Sequence, residues 1–412
     1  MYSATPPPDT DPTGANPPTP DTTTAPPAVR GTLPTSASVV VIGGGIMGVA
    51  AAHELARDGV DVVLVERDAL GSGSTCKAAG GVRTSFSDET NILLGAHSLE
   101  TFRRFPETFG QDIDLHTPGY LFLLADAESA TVFEASTRLQ NDLGMPTRMV
   151  SPAEVAALNP WVRTDDLVAG ALDPAAGHCT PESAVAGLAR AARAAGVRIL
   201  THTSAAEVVV EHGHVTGVRT SAGDIACDHV VCTAGAWSAG VAATAGIDLP
   251  VTPLRRQIAV TDAVDFDTRD LPFTLDFATS FYFHGEGAGL LMGSPERTDL
   301  HDFDMRQDPA WQEYLGELLA HRAPALGDVR LASGWAGLYE CTPDHNALIG
   351  SAREVEGFHY ACGFSGHGFL QGPAVGVVLR DLVLGRAPEI DVSGLSVERF
   401  TTSALRPEVN II

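Results

Sequence analysis

The sequence predicts an α/β fold in which an opening βαβ layer is completed by distant segments, with a mostly antiparallel-sheet α+β domain inserted between them. Three observations predict it. The apolar strand SVVVIGGG (38–45) runs into glycines and is followed by a helical stretch, IMGVAAAHELARDG (46–59), and a second buried strand, VDVVLVER (60–67); strand, glycine turn, helix and strand make one βαβ unit. Residues 250–340 are instead dominated by strand signals (RRQIAVTDA, FYFHGEG, AGLLMGS) around one helix near 308–321. The chain then closes on a second strand, glycine-rich turn and helix, FHYACGFSGHGFLQGPAVGVVLRDLVLG. An opening layer that reappears at the far end of the chain is an interrupted layer.

In chain order, residues 1–36 are rich in Pro, Thr and Asp and nearly free of large apolar side chains. Such a segment cannot bury enough surface to offset its ordering entropy, so a disordered tail is expected. Helical patterns alternate with the strand-like GYLFLLAD through about 91–163. An Ala-rich helix, PESAVAGLARAARAAG (181–196), precedes strands at VRILTHT, AAEVVVEHGHVTGVRT and DHVVCTAGAW. The expected division is 37–90, 164–248 and 340–390 for the opening layer, 91–163 and 249–339 for the inserted domain, and 391–412 for a C-terminal tail.

Composition bounds the function. With 412 residues the chain can build two sizeable cores. Its formal net charge is -25 and Lys77 is its only lysine, so nucleic acid and anionic membrane are poor partners. The 6 cysteines are scattered, without CxxC or metal-ligand spacing; free thiols in a reducing compartment are expected, and no metal. No stretch reaches the roughly 18 apolar residues of a membrane span, and no basic, then apolar, leader opens the chain. Cytoplasm is the expected location.

The strongest motif is Gly43-x-Gly45-x-x-Gly48. The first glycine permits the tight turn, the second lets backbone approach a pyrophosphate, and the third lets the helix pack close to the sheet. The helix N-terminus, with Ile46 and Met47, offers free N–H groups to phosphate oxygens. Glu66 ends the next strand 23 residues after Gly43, where a carboxylate accepts a ribose 2′-OH and repels a 2′-phosphate. The layer therefore reads as a Rossmann-type domain for FAD or NAD. FAD is favoured by three further turns: Arg67 with GSGSTCKAAGGVR (71–83, including Gly73, Ser74, Thr75, Ala79, Gly80 and Gly81), AGAW (Ala234, Gly235, Trp237), and GFSGHGF (Gly366, His367, Gly368, Phe369). NAD does not need them all, whereas an isoalloxazine does. Backbone N–H groups around Gly366 to Phe369 suit the charge of a reduced flavin.

With these pieces in view, the chain resembles the D-amino-acid-oxidase-like flavoproteins, in the branch of sarcosine oxidase, glycine oxidase and dimethylglycine dehydrogenase. VVVIGGGIMG, LVER, GSGST…AAGGVR, VVCTAGAWS, PLRRQIAVT, YFHGEGAGLLMG, TPDHNALIG and CGFSGHGF carry the resemblance over roughly residues 38–385. It implies hydride removal from the carbon beside an amine nitrogen, giving an imine. It also implies that Arg83 pairs with a substrate carboxylate, for which a guanidinium fork is well shaped. Tyr282 resembles the family's site tyrosine, though a strand aromatic suits a core equally, and His367 stands in the flavin turn. Departures matter as much. Lys77 stands where several relatives attach FAD through a histidine, and Gly337 where monomeric sarcosine oxidase attaches it through a cysteine; Cys341 falls four residues too late. A non-covalent FAD follows. Leu291 stands at the family lysine for oxygen reduction, so the acceptor is open between O2 and a redox protein or quinone; Leu370 stands at its second carboxylate-binding lysine, which argues against sarcosine itself as the substrate. The primary expectation is an FAD-dependent oxidoreductase for a small, carboxylate-bearing N-alkyl or cyclic amino acid. Oxidation of a 2-hydroxy acid, and a flavoprotein that binds a partner or serves as one subunit of a multi-chain complex, remain open beside it.

Overall fold

The computed structural model describes residues 33–402 and 404–410. Most of the Pro- and Thr-rich tail lies outside them, but its expected end at residue 36 moves back. Ser36 bridges Ala226, and the Ala226 N–H donates to the Thr35 carbonyl at 2.9 Å.

The opening layer is a 6-stranded sheet ordered 348–351, 358–362, 229–232, 39–42, 62–65 and 198–200. Every pairing is parallel except that of edge strand Leu348–Ser351. Val39–Ile42 and Val62–Val65 are buried throughout, which explains their continuous apolar runs in place of alternation. Helix Ile46–Arg57 is buried from Ile46 to Ala56, because the closing helix Gly368–Val383 lies against it. Glycines set that approach: a Cβ on Gly372 would fall 2.5 Å from Ile46 Cγ1, and one on Gly376 would fall 2.7 Å from the Ala50 Cβ. A helical glycine costs about 1 kcal/mol against alanine, and close packing of the first and last helices offsets it.

The second large sheet has 8 strands, ordered 331–341, 252–261, 289–294, 281–286, 273–276, 120–124, 169–173 and 148–150. It is antiparallel except where Phe273–Asp276 runs parallel to Tyr120–Leu124. A 3-stranded meander, 205–211, 214–220 and 223–226, stands apart. Three expected boundaries shift. Strand Ala169–Asp173, assigned from sequence to the opening layer, pairs with Tyr120–Leu124 in the larger sheet. Helices Glu89–Arg103 and Phe105–Phe109, assigned from residue 91 onward to the inserted domain, bury Ile92, Leu99, Phe102 and Phe105 in the core of the opening layer.

The third correction concerns residues 391–402 and 404–410, which are no loose tail. Arg399 is 4% exposed and donates to both oxygens of Asp344, at 2.8 and 2.9 Å, and to the Asn346 and Leu395 carbonyls. Glu408 accepts from the Ser87 N–H and hydroxyl and from Asn91 Nδ2. Buried charges need such complete partnering, because an unpaired one costs several kcal/mol. The Asp of the TPD motif is thus held by an arginine 55 residues further on.

Candidate functional site

An elongated cavity of about 430 Å³ runs from Glu66, Arg67 and Glu207 to Arg83, Tyr282 and Phe369, within the range of sites that hold a small molecule or cofactor. The glycine turn forms its floor. Gly43 has φ +109°, in the left-handed region where only glycine is at ease, and a Cβ there would strike the Thr233 carbonyl at 2.3 Å. Gly48 does not line the cavity. A Cβ on it would meet the Gly43 carbonyl at 1.9 Å, so its place is the close seat of helix on strand.

The N-terminus of helix Ile46–Arg57 has no side-chain cap from Gly45 and no acidic residue in its first turn, which leaves its dipole for an anion. Thr75 Oγ1 accepts the Ile46 N–H at 3.1 Å. Glu66 accepts the Gly44 N–H at 2.7 Å on one oxygen and the Asp68 N–H at 2.8 Å on the other. An ionised carboxylate has about four acceptor sites, so the backbone fixes Glu66 while lone pairs remain for a ribose hydroxyl. Arg67 stacks over Trp237, its guanidinium carbon 3.8 Å from the ring centroid.

The other expected residues of loop 71–83, of 234–237 and of 366–369 line the same cavity. Ser74 Oγ donates to the Leu338 carbonyl at 2.7 Å, tying this loop to strand Leu331–Cys341. The Ser365 N–H donates to the Glu340 carbonyl at 2.9 Å, tying the closing turn to that strand. Lys77 and Gly337 face one another: a Cβ on Gly337 would lie 2.8 Å from the Lys77 Cβ. Neither side chain supplies the nucleophile of a histidyl or cysteinyl attachment.

Arg83 is 3% exposed. Its guanidinium lies 4.1 Å from the Phe86 centroid, with Phe122 and Tyr120 at 5.4 and 5.6 Å. Nη1 donates to the Ser85 carbonyl at 2.6 Å and Nη2 to the Asn410 carbonyl at 2.9 Å. Burial holds its pKa below the usual arginine value. No carboxylate of the described residues forms an ion pair with it, although most other arginines have one. A buried guanidinium that faces a cavity with donors to spare is built to receive an anion.

Tyr282 crosses Gly293, where a Cβ would meet its hydroxyl at 2.2 Å. It stacks on Phe273 at 5.4 Å, and burial drives its hydroxyl pKa well above 10. His367 stands at the head of the closing helix without a side-chain capping bond, sits edge-on to Phe86 at 5.2 Å, and has Nε2 buried without a partner. Burial, then the charge of Arg83, lowers its pKa to about 3, so the ring is neutral at physiological pH. Glu340 Oε2 is the other unpartnered buried polar atom among the lining residues. Cradle glycines, uncapped N–H groups and unpartnered polar atoms along one elongated cavity fit an FAD.

Among the cavity residues that sequence reasoning missed are Tyr120, Arg256, Phe273, Tyr339 and Glu340. The first and third are neighbours on the parallel strand pair, with rings 4.2 Å apart. Arg256 pairs with Asp299 at 2.9 Å and lies 5.7 Å from the Tyr339 ring. Glu340 carried the one usable signal, a carboxylate in a run of small and apolar residues two positions before TPD.

Comparison with known proteins agrees with this geometry. The family model described as "DAO: FAD dependent oxidoreductase" matches residues 38–382. FAD-dependent oxidoreductase domain-containing protein 1 of Xenopus laevis is 30% identical over 92% of this chain and 85% of its own length. Human mitochondrial sarcosine dehydrogenase is 30% identical over 89% of this chain, which spans only 42% of that protein. The solved L-proline dehydrogenase from P. horikoshii superposes with a TM-score of 0.85 and 31% identity, over 91% of this chain and all of the other.

Proposed function

From the premise that the chain belongs to the DAO family of FAD-dependent oxidoreductases, we propose that it oxidises the carbon beside the nitrogen of a small N-alkyl or cyclic amino acid to an imine. Arg83, buried at the cavity wall without a carboxylate of its own among the described residues, is the observation that carries this reading. The similarity to human sarcosine dehydrogenase and to L-proline dehydrogenase from P. horikoshii supports it.

Bound FAD supplies the two-electron acceptor. The chain's residues do the rest. Arg83 takes the substrate carboxylate on the guanidinium edge not used by Ser85 and Asn410, which fixes one end of the substrate and so orients the C–H bond. Phe273, Tyr120 and Tyr282 wall the site and exclude water. His367, neutral, offers an unpartnered ring nitrogen without adding charge. The amine must arrive unprotonated, because an ammonium has no lone pair to assist loss of hydride.

FAD is held without a covalent bond, a reading supported by Lys77 and Gly337 at the two attachment positions. The six free thiols support a reducing compartment such as the cytoplasm, and no helix of the described residues is long and apolar enough to cross a membrane. Anaerobic bleaching of the yellow protein with N-methyl amino acids, cyclic amino acids and 2-hydroxy acids tests the substrate class. We expect bleaching by members of the first two groups. Bleaching by hydroxy acids alone would replace C–N by C–O oxidation, and bleaching by none would favour a partner-binding flavoprotein.

A further inference from the structure

Glu340 has no part in the chemistry described so far, yet its carboxyl lies where two cofactor-facing turns meet. A Cβ on Gly235 would sit 3.7 Å from Oε2, and a Cβ on Gly368 would sit 3.7 Å from Oε1. The residue lines the cavity, and Oε2 is sealed from solvent without a hydrogen-bond partner.

The groups that face Glu340 do not settle its charge. They are the thiols of Cys232 and Cys362, from the neighbouring parallel strands, and of Cys341, next on its own strand. Burial raises all three, Cys232 and Cys341 to about 11, so they stay neutral. Lys77, Arg83 and Arg256 line the same cavity, but none forms an ion pair with Glu340. His367, at the head of the closing helix, is neutral. The backbone N–H groups of Gly363 and Phe364 favour the carboxylate, and burial outweighs them. The result is a carboxyl pushed up to about 7, poised between its two forms at neutral pH.

We propose that Glu340 takes up a proton from solvent as the bound flavin is reduced. Substrate oxidation delivers two electrons and one proton to the flavin, which adds one negative charge to the cavity. Glu340, as carboxylate, binds one further proton through Oε2 and removes one negative charge. No other oxidant or reductant is involved. The driving force is the cost of a second negative charge in a desolvated cavity that gives Glu340 no paired cation. The same coupling makes flavin reduction easier as pH falls.

The test is the pH dependence of the flavin midpoint potential in the FAD-loaded protein, measured by dye equilibration from pH 6 to pH 10. One proton per two electrons gives a slope of about 30 mV per pH unit, and two protons give about 59 mV, because tenfold in a two-electron equilibrium is 29.6 mV. We expect the steep slope in wild type over an interval above pH 7, and about 30 mV per unit in that interval for Glu340→Gln. Equal slopes in the two proteins overturn the proposal. Should the variant lose FAD, wild type alone decides: infrared difference spectra at pH 8 should show a carboxylic-acid C=O band appearing on reduction, and its absence overturns the proposal. This inference rests on the flavin reading. A protein purified without flavin absorbance defeats that reading, whereas flavin-loaded protein with no steep interval defeats only the role of Glu340.

Discussion

At the scale of single residues, Arg83 tests whether shape or charge matters most in the cavity. Three aromatic rings and two backbone carbonyls already hold its guanidinium. A lysine keeps the charge but not the planar fork that can serve two carbonyls and a carboxylate together. Arg83→Lys is therefore expected to leave FAD content unchanged and to raise the substrate concentration for half-maximal anaerobic bleaching by about 10- to 100-fold, the worth of a charge-assisted bond or two. An unchanged concentration removes Arg83 from substrate binding. The residues a reader of the sequence could place along the cavity were those in glycine-marked turns, such as Gly43, Gly80 and Gly366, because a required positive φ leaves a mark in one dimension. Tyr120, Tyr339 and Arg256 left none. On a strand, an aromatic that faces a cavity and one that faces the core have the same period, and only pairing across the sheet separates them.

At the scale of elements, the segment 404–410 connects the end of the described chain to the substrate end of the cavity. The Asn410 carbonyl is one of two acceptors that orient Arg83, and Glu408 anchors the segment to Ser87 and Asn91. Deleting residues 404–412 is expected to weaken substrate binding at least tenfold, since the guanidinium loses a charged-group hydrogen bond of about 1.5–3 kcal/mol. The FAD-binding turns lie elsewhere, so the absorbance ratio of flavin to protein should stay at the wild-type value. Titration of the truncated protein by anaerobic bleaching checks both, and unaltered affinity would show that Arg83 is oriented without the segment. This contact was not legible in the sequence. PEVN has no periodicity and no turn chemistry, and its partners Arg83 and Ser87 lie more than 300 residues away. Strand Ala169–Asp173 was misplaced for a related reason: nothing in its short run of small residues marks which sheet it joins, and only pairing with Tyr120–Leu124 puts it in the larger one. The βαβ opening and the closing strand, turn and helix were legible because each combines a local period with a glycine signal.

At the scale of the whole molecule, buried imidazoles couple the fold to pH. Burial lowers His178 to about 2, His284 to about 4, and His359 and His367 to about 3, against an ordinary value near 6.5. Each therefore contributes stability that is complete above about pH 6.5 and is lost as pH falls toward the folded value, because the unfolded chain binds the proton first. Glu340 has the opposite sign. Its folded value is raised to about 7, so its contribution is present below the ordinary carboxylate pKa and is lost as pH rises through about 7. By pH 5 the unfolded state binds nearly four more protons through these histidines than the folded state does, an excess already half reached at pH 6.5, while Glu340 holds about one more in the folded state. At about 1.4 kcal/mol per proton per pH unit, the net loss is several kcal/mol, a large share of the 5–15 kcal/mol that a folded domain holds in reserve. The urea midpoint of the FAD-loaded protein should accordingly drop steeply from pH 7 to pH 5 and level off above pH 7.5. Glu340→Gln should leave the acid limb at least as steep, since it removes a group that opposes it. A midpoint flat across pH 5–7 would mean that these imidazoles are not desolvated in the fold.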